Sequence, residues 1–205
     1  MANVLVRVSL QRIALPGPKS VSNTVFRRSL FGLSNHSFNN TREQRYVLCK
    51  TINAPTVNVY EVVSEVSQYK EFMPYCVESF VNKRNQDTGK PVEAGLMVSF
   101  KHYVEKFVCK VECDSKFEGI KTVVAESLTH TLFDLLYTKW TIAPHPTRPN
   151  ATEVELLLRF KFHSKLYNSI SSIFAKSVTG LVMKAFEKRI FQLRKESMKV
   201  KKGLS

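Results

Sequence analysis

Val154-Glu155-Leu156-Leu157-Leu158-Arg159-Phe160-Lys161-Phe162 decides the fold. Val154, Leu156, Leu158, Phe160 and Phe162 alternate with Glu155, Leu157, Arg159 and Lys161, the period of a β-strand with one buried and one wet face. Immediately afterwards the period changes. Ser164 suits a helix N-cap, and Leu166, Ile170, Phe174, Val178, Leu181, Ala185 and Phe186 recur at helical spacing toward Ile190 and Leu193. A long helix with one apolar stripe needs a sheet to lie on.

That sheet is found upstream. Val77 to Val81, Leu96 to Phe100, Lys106 to Val111, Lys121 to Ala125 and Phe133 to Ile142 all have strand character. Asn85-Gln86-Asp87-Thr88-Gly89-Lys90-Pro91 and Pro144-His145-Pro146-Thr147-Arg148-Pro149-Asn150 are loops by their turn residues. Arg45 to Ile52 forms an opening strand. Asn53 then suits an N-cap with Pro55 close behind, and Val57, Tyr60, Val63 and Val66 give a helix. Pro74 restricts Met73 and ends a second, short helix. The resulting order is β, α, short α, many antiparallel strands, long α. It predicts an α+β domain whose curved antiparallel sheet wraps around a long C-terminal helix.

Alternation aims Leu96, Val98, Phe100 and Phe107 at the space between sheet and helix. From the last two strands it adds Leu136, Trp140, Leu156, Leu158, Phe160 and Phe162. Such a set suits an apolar pocket and a packed core equally, because alternation gives direction and not the space left between side chains.

The chain has 205 residues, 43% of them hydrophobic, enough for one domain with a sizeable core and an extra segment. Its net charge of +14 is uneven. Residues 1–42 contain no Asp or Glu but hold Arg7, Arg12, Lys19, Arg27, Arg28 and Arg42, so +6 falls there and +8 on the rest. With Val4, Leu5, Val8, Leu10 and Ile13 interspersed before Pro16, this is the composition of a mitochondrial transit peptide, cleaved between Leu30 and Arg42. No stretch approaches the ~20 apolar residues needed to cross a bilayer as a helix. Cys49, Cys76, Cys109 and Cys113 lack framework spacing and read as free, mostly buried thiols.

Tyr69-Lys70-Glu71-Phe72-Met73-Pro74-Tyr75-Cys76-Val77 resembles the helix-to-strand junction of the mitochondrial coenzyme Q-binding proteins, fungal type, in the START-like, polyketide-cyclase-like superfamily. Val98-Ser99-Phe100 with Glu105 and Phe107 matches the family's next pattern, and Phe133, Leu136 and Trp140 a further strand. Arg159-Phe160-Lys161-Phe162-His163-Ser164, then Met183, Ala185-Phe186 and Arg189, resemble its strand-to-helix ending. Ser99 departs from the pattern, which more often shows glycine there, so looser packing or a bulge is expected nearby.

What the resemblance implies is a helix-grip START-like fold over 43–195, after the presequence 1–42 and before a basic tail 196–205. It further implies a cavity that binds ubiquinone, in a carrier or chaperone that supports respiratory electron transport and quinone biosynthesis. The protein would sit peripherally on the matrix side of the inner mitochondrial membrane, near respiratory or quinone-biosynthesis proteins. Tyr69, Phe72 and Tyr75 would line the cavity mouth, and Phe174 and Val178 its helix side. Tyrosines at such a corner also serve as plain anchors. Trp140 suits either a quinone head group or a core position with its N–H on a backbone carbonyl. Glu105, among Lys101, Lys106 and Lys110, reads as a carboxylate on the wet or semi-buried side of its strand, a salt-bridging surface group by default.

Catalysis is not indicated. His36, His102, His130, His145 and His163 are scattered, and none forms a helical metal-ligand pair. Cys109 and Cys113 lie ~13 Å apart along one strand face, too far for one zinc ion. Phosphate loops and nucleophile elbows are missing from the sequence. The expectation is therefore a non-enzyme with no metal and no catalytic cofactor, binding no nucleic acid. The alternatives are a ribosome- or protein-interacting START-like module and a cyclase-like enzyme. Near the C-terminus, Lys195, Lys199, Lys201 and Lys202 suit contact with an anionic bilayer as well as a solvated helix end.

Overall fold

The computed structural model describes residues 43–203 except 101–102, 118, 130–131 and 164–167; side chains at 100, 103, 116–117, 168–178 and 200–203 also fall outside the description. The proposed presequence and the Ser164 cap lie outside the described residues.

Strand β1 (Gln44–Ile52) leads into helix α1 (Thr56–Ser64) and a short 3₁₀ helix (Val66–Glu71). Six strands follow: β2 (Cys76–Arg84), β3 (Pro91–Phe100), β4 (Tyr103–Phe117), β5 (Ile120–Ser127), β6 (Phe133–Pro144) and β7 (Thr152–Phe162). Helix α2 (Asn168–Gly203) ends the order. All strands form one antiparallel sheet in the order β1-β7-β6-β5-β4-β3-β2, so the first strand pairs with the last. This is the expected helix-grip architecture.

Register puts the expected inward residues on one face. Trp140 stands opposite Leu156 and Val123, Leu136 opposite Phe160, and Leu96 opposite Phe107. Against one half of that face lies the main core. Met183, Phe186 and Ile190 of α2 are almost wholly buried, and Phe186 packs 4.7 Å from the Trp140 ring. Tyr69 and Phe72 meet Phe186 edge-on, each at 5.0 Å, while Val59, Tyr60, Val62 and Val63 close the core from α1. Burying each large side chain is worth about 1.5–3 kcal/mol. Polar ties fix the register of α2: Lys50 pairs with Glu187 at 2.5 Å, Arg189 with Glu71 at 2.5 Å, and the Arg194 guanidinium donates to the Asn53 carbonyl.

Several local expectations differ. Pro55, not Asn53, occupies the N-cap of α1, with no side-chain cap; proline's fixed φ starts the helix, and Asn53 instead serves Arg194 through its carbonyl. Leu181 is 43% exposed, and Met183 is buried in the stripe expected to include Leu181. Leu181 and Phe186 are five residues and so about 140° apart round the helix, and the two cannot share one buried face. Glu105 pairs with Val98 and shares the inner face with Phe107 and Cys109, half-buried, so of its two readings the semi-buried one holds. Among the thiols Cys76 is buried, Cys109 and Cys113 are intermediate, and Cys49 is exposed on an edge strand. Helix α2 continues through 196–203, the segment read as a tail.

The irregularity expected near Ser99 lies on the neighbouring strand. A register shift between Cys76 and Glu78 faces Val98 and Met97, and the Ser99 N–H donates to the Tyr75 carbonyl at 2.8 Å. The glycine that β3 needs is Gly95: a Cβ there would meet the Phe80 ring and stand 2.5 Å from the Phe107 carbonyl oxygen.

Candidate ligand-binding site

Four residues beyond Trp140 on β6, about 13 Å along the strand, the inner face carries a second and separate apolar cluster. Phe160 and Phe162 are buried there, with Tyr46, Leu132, Phe133, Leu136 and Leu158 packed around them. The rings interlock: Tyr46 stacks on Phe160 at 5.9 Å, and Phe133 lies 4.7 Å from Phe162 and 5.7 Å from Phe107. The row between the two clusters is small, with Thr138 opposite Leu158 on one side and Ala125 on the other. Leu96, Val98, Leu136, Thr138 and Leu158 point inward from a seven-stranded sheet yet stay half-buried. An inward apolar side chain short of full burial is a candidate for contact with an apolar ligand.

The expected site residues thus divide. Phe107, Leu136, Leu158, Phe160 and Phe162 belong to the second cluster and its aromatic border, Val98 lies half-buried opposite Glu105, and Leu96 packs against the main core. Trp140, Tyr69 and Phe72 pack on Phe186 in the main core. The Tyr69 hydroxyl donates to the Val63 carbonyl, and burial pushes its pKa far up, as for an anchoring phenol. Tyr75 stands at the corner before β2 with φ 64° and is 43% exposed. That left-handed backbone costs a non-glycine residue about 1–2 kcal/mol and turns its side chain away from the core. The side chains of Phe100, Phe174, Val178, Lys201 and Lys202 lie outside the description.

Tyr46 and Phe133 belong to this cluster though the sequence reading did not count either among the site residues. Tyr46 was legible in principle, since it shares a period of two with Leu48 and Ile52; its hydroxyl donates to Gln44 Oε1 at 2.7 Å, and burial raises its pKa. Polar groups are few at this end. Glu105 is the carboxylate that register brings to the inner face there.

Nothing described supplies a reactive group. Burial pushes the Cys109 and Cys113 thiols up to about 11, the wrong direction for a nucleophile. Among the described residues no group of three or more His, Cys, Asp or Glu stands together to hold a metal ion.

Comparison with known proteins fits this geometry. Residues 52–187 match the family described as polyketide cyclase / dehydrase and lipid transport. The mitochondrial coenzyme Q-binding protein of Saccharomyces cerevisiae is 58% identical over 88% of this chain and 86% of its own length. That of Eremothecium gossypii is 55% identical over 88% and 87%. Among solved structures, a START superfamily protein from Mycobacterium smegmatis superposes with a TM-score of 0.63 at 18% identity, over 73% of this chain and 98% of that one. The Zhui aromatase/cyclase from Streptomyces sp. R1128 gives 0.63 at 12% identity, over 74% and 95%; at such identity the likeness concerns the fold alone.

Proposed function

This chain belongs to the polyketide cyclase / dehydrase and lipid transport family, among its mitochondrial coenzyme Q-binding proteins, and from that premise we propose that it binds coenzyme Q between the sheet's inner face and α2. The isoprenoid tail lies along Leu96, Val98, Leu136 and Leu158, with Phe107, Phe160 and Phe162 as its aromatic wall. Tyr75 stands at the mouth, and Trp140, Tyr69 and Phe72 bound the space from the closed core. The single observation that carries this reading is the half-buried inner row beside a fully buried one on the same face.

Such a site is suited to carrying and not to converting. Lipid tails are as apolar as leucine, so moving an isoprenoid chain from bilayer to protein has little hydrophobic driving force. Retention then depends on close dispersion contact and on few polar partners for the head group, which allows loading and release. The protein is a non-catalytic carrier or chaperone that serves respiratory electron transport and quinone biosynthesis. It works peripherally on the matrix side of the inner mitochondrial membrane, delivered there by residues 1–42, and the lysines near its C-terminus face the anionic surface.

Organic extraction of the chain purified from quinone-containing cells tests this. Coenzyme Q is expected in the extract near one per protein. Folded protein that carries no quinone from such cells would refute the reading.

A further inference from the structure

Helix α2 has a second face, opposite the one that buries Met183, Phe186 and Ile190, and three large apolar side chains stand on it. Phe191 is 67% exposed, Met198 51% and Leu181 43%. At ~100° per residue they fall within about a quarter-turn of one another, along about 26 Å of helix. Interleaved within the same arc are Lys184, Lys188, Lys195 and Lys199, all exposed. The acids of this stretch lie to either side of it: Glu187 is held by Lys50 across the sheet, and Glu196 falls about 140° round from Phe191. No helix of the described residues is long and apolar enough to cross a membrane.

We propose that this face, centred on Phe191 and flanked by Lys188 and Lys195, docks the protein on an anionic bilayer, with Phe191 and Met198 entering the interface. Lysine stems run along apolar surface while their ammonium groups reach lipid phosphates, so the mixture of residues that would burden a free surface suits a membrane. A protein partner fits less well, since protein interfaces are depleted in lysine. A second copy fits worse, because four lysines would meet four. Docked in this way, α2 lies between the bilayer and the sheet, so the inner face stands roughly one helix diameter, ~10 Å, above the lipid. The inference stands independently of which lipid the domain carries.

The test is co-sedimentation of the full-length chain with quinone-free vesicles of phosphatidylcholine alone or mixed with phosphatidylglycerol. Binding is expected on the anionic vesicles and should fall with salt. Phe191→Ser should lower the partition coefficient roughly tenfold, and Lys188→Gln with Lys195→Gln about fivefold per charge. In Phe191→Trp, emission should shift to the blue on anionic vesicles and be quenched by brominated lipid, over the constant background of buried Trp140. Wild-type levels of binding by Phe191→Ser, or no vesicle binding by the parent chain, would overturn the proposal. So would a dimer in the ultracentrifuge that Phe191→Ser converts to monomer. Quinone extracted from the same variants should be unchanged, which separates this failure from failure of the binding site.

Discussion

The two halves of the sheet's inner face are built from one alternating pattern and end in different states. At the Trp140 end, α1, the 3₁₀ helix and the Met183–Ile190 segment of α2 converge, and Phe186 is 1% exposed among three aromatic rings. At the Phe160 end the rings pack on one another within the sheet, and Leu136 and Leu158 remain half-buried. The first half stabilises the fold. In the second, inner residues stay half-buried, and it is there that we propose the ligand lies.

Substitutions should separate the halves. Phe186→Ala opens a cavity in the closed core and should cost ~3–5 kcal/mol, enough to unfold a marginal domain, as a thermal melt would show. Phe160→Ala, in the half proposed to hold the ligand, should cost less, about 1–2 kcal/mol, and lose most of the extractable quinone. Equal costs at the two positions would erase the distinction. The smallest effect concerns the corner that closes the core. Arg84, bonding at 2.8 Å, and then Ser67 hold the Glu65 carboxyl below the ordinary glutamate range. A carboxylate with a depressed folded pKa contributes stability that is complete above its unfolded value and is lost as pH falls through the folded one. Glu65→Gln should therefore cost under ~1 kcal/mol at neutral pH and nothing in acid, as denaturant titrations at the two pH values would show.

How far the sequence could be read follows the same division. Strand direction was legible because period two is local: Leu136, Trp140 and Phe160 all point where alternation sends them. Whether a void lies opposite is not local. It depends on where Phe186 lands and on the small Thr138–Ala125 row, and neither is encoded within one strand. Trp140 and Phe160 therefore looked alike in sequence and differ in structure. The same limit applied to α2, where a step of three from Val178 carried the expected stripe to Leu181, off the buried face, and to Tyr46, hidden on an edge strand between Arg45 and Val47. For Glu105 the lysine neighbours left wet and semi-buried positions open, and register chose the second by setting it opposite Val98.

Filling the space tests the account most directly. Leu136→Trp adds bulk to an inward, half-buried position, and overpacking a solid core costs typically ~1–3 kcal/mol. Quinone extracted per folded protein should drop to near zero while the melting temperature stays within a few degrees of the parent. A variant that keeps its full complement of quinone, or that loses stability like Phe186→Ala, would show that this half of the sheet is ordinary core and that the lipid lies elsewhere.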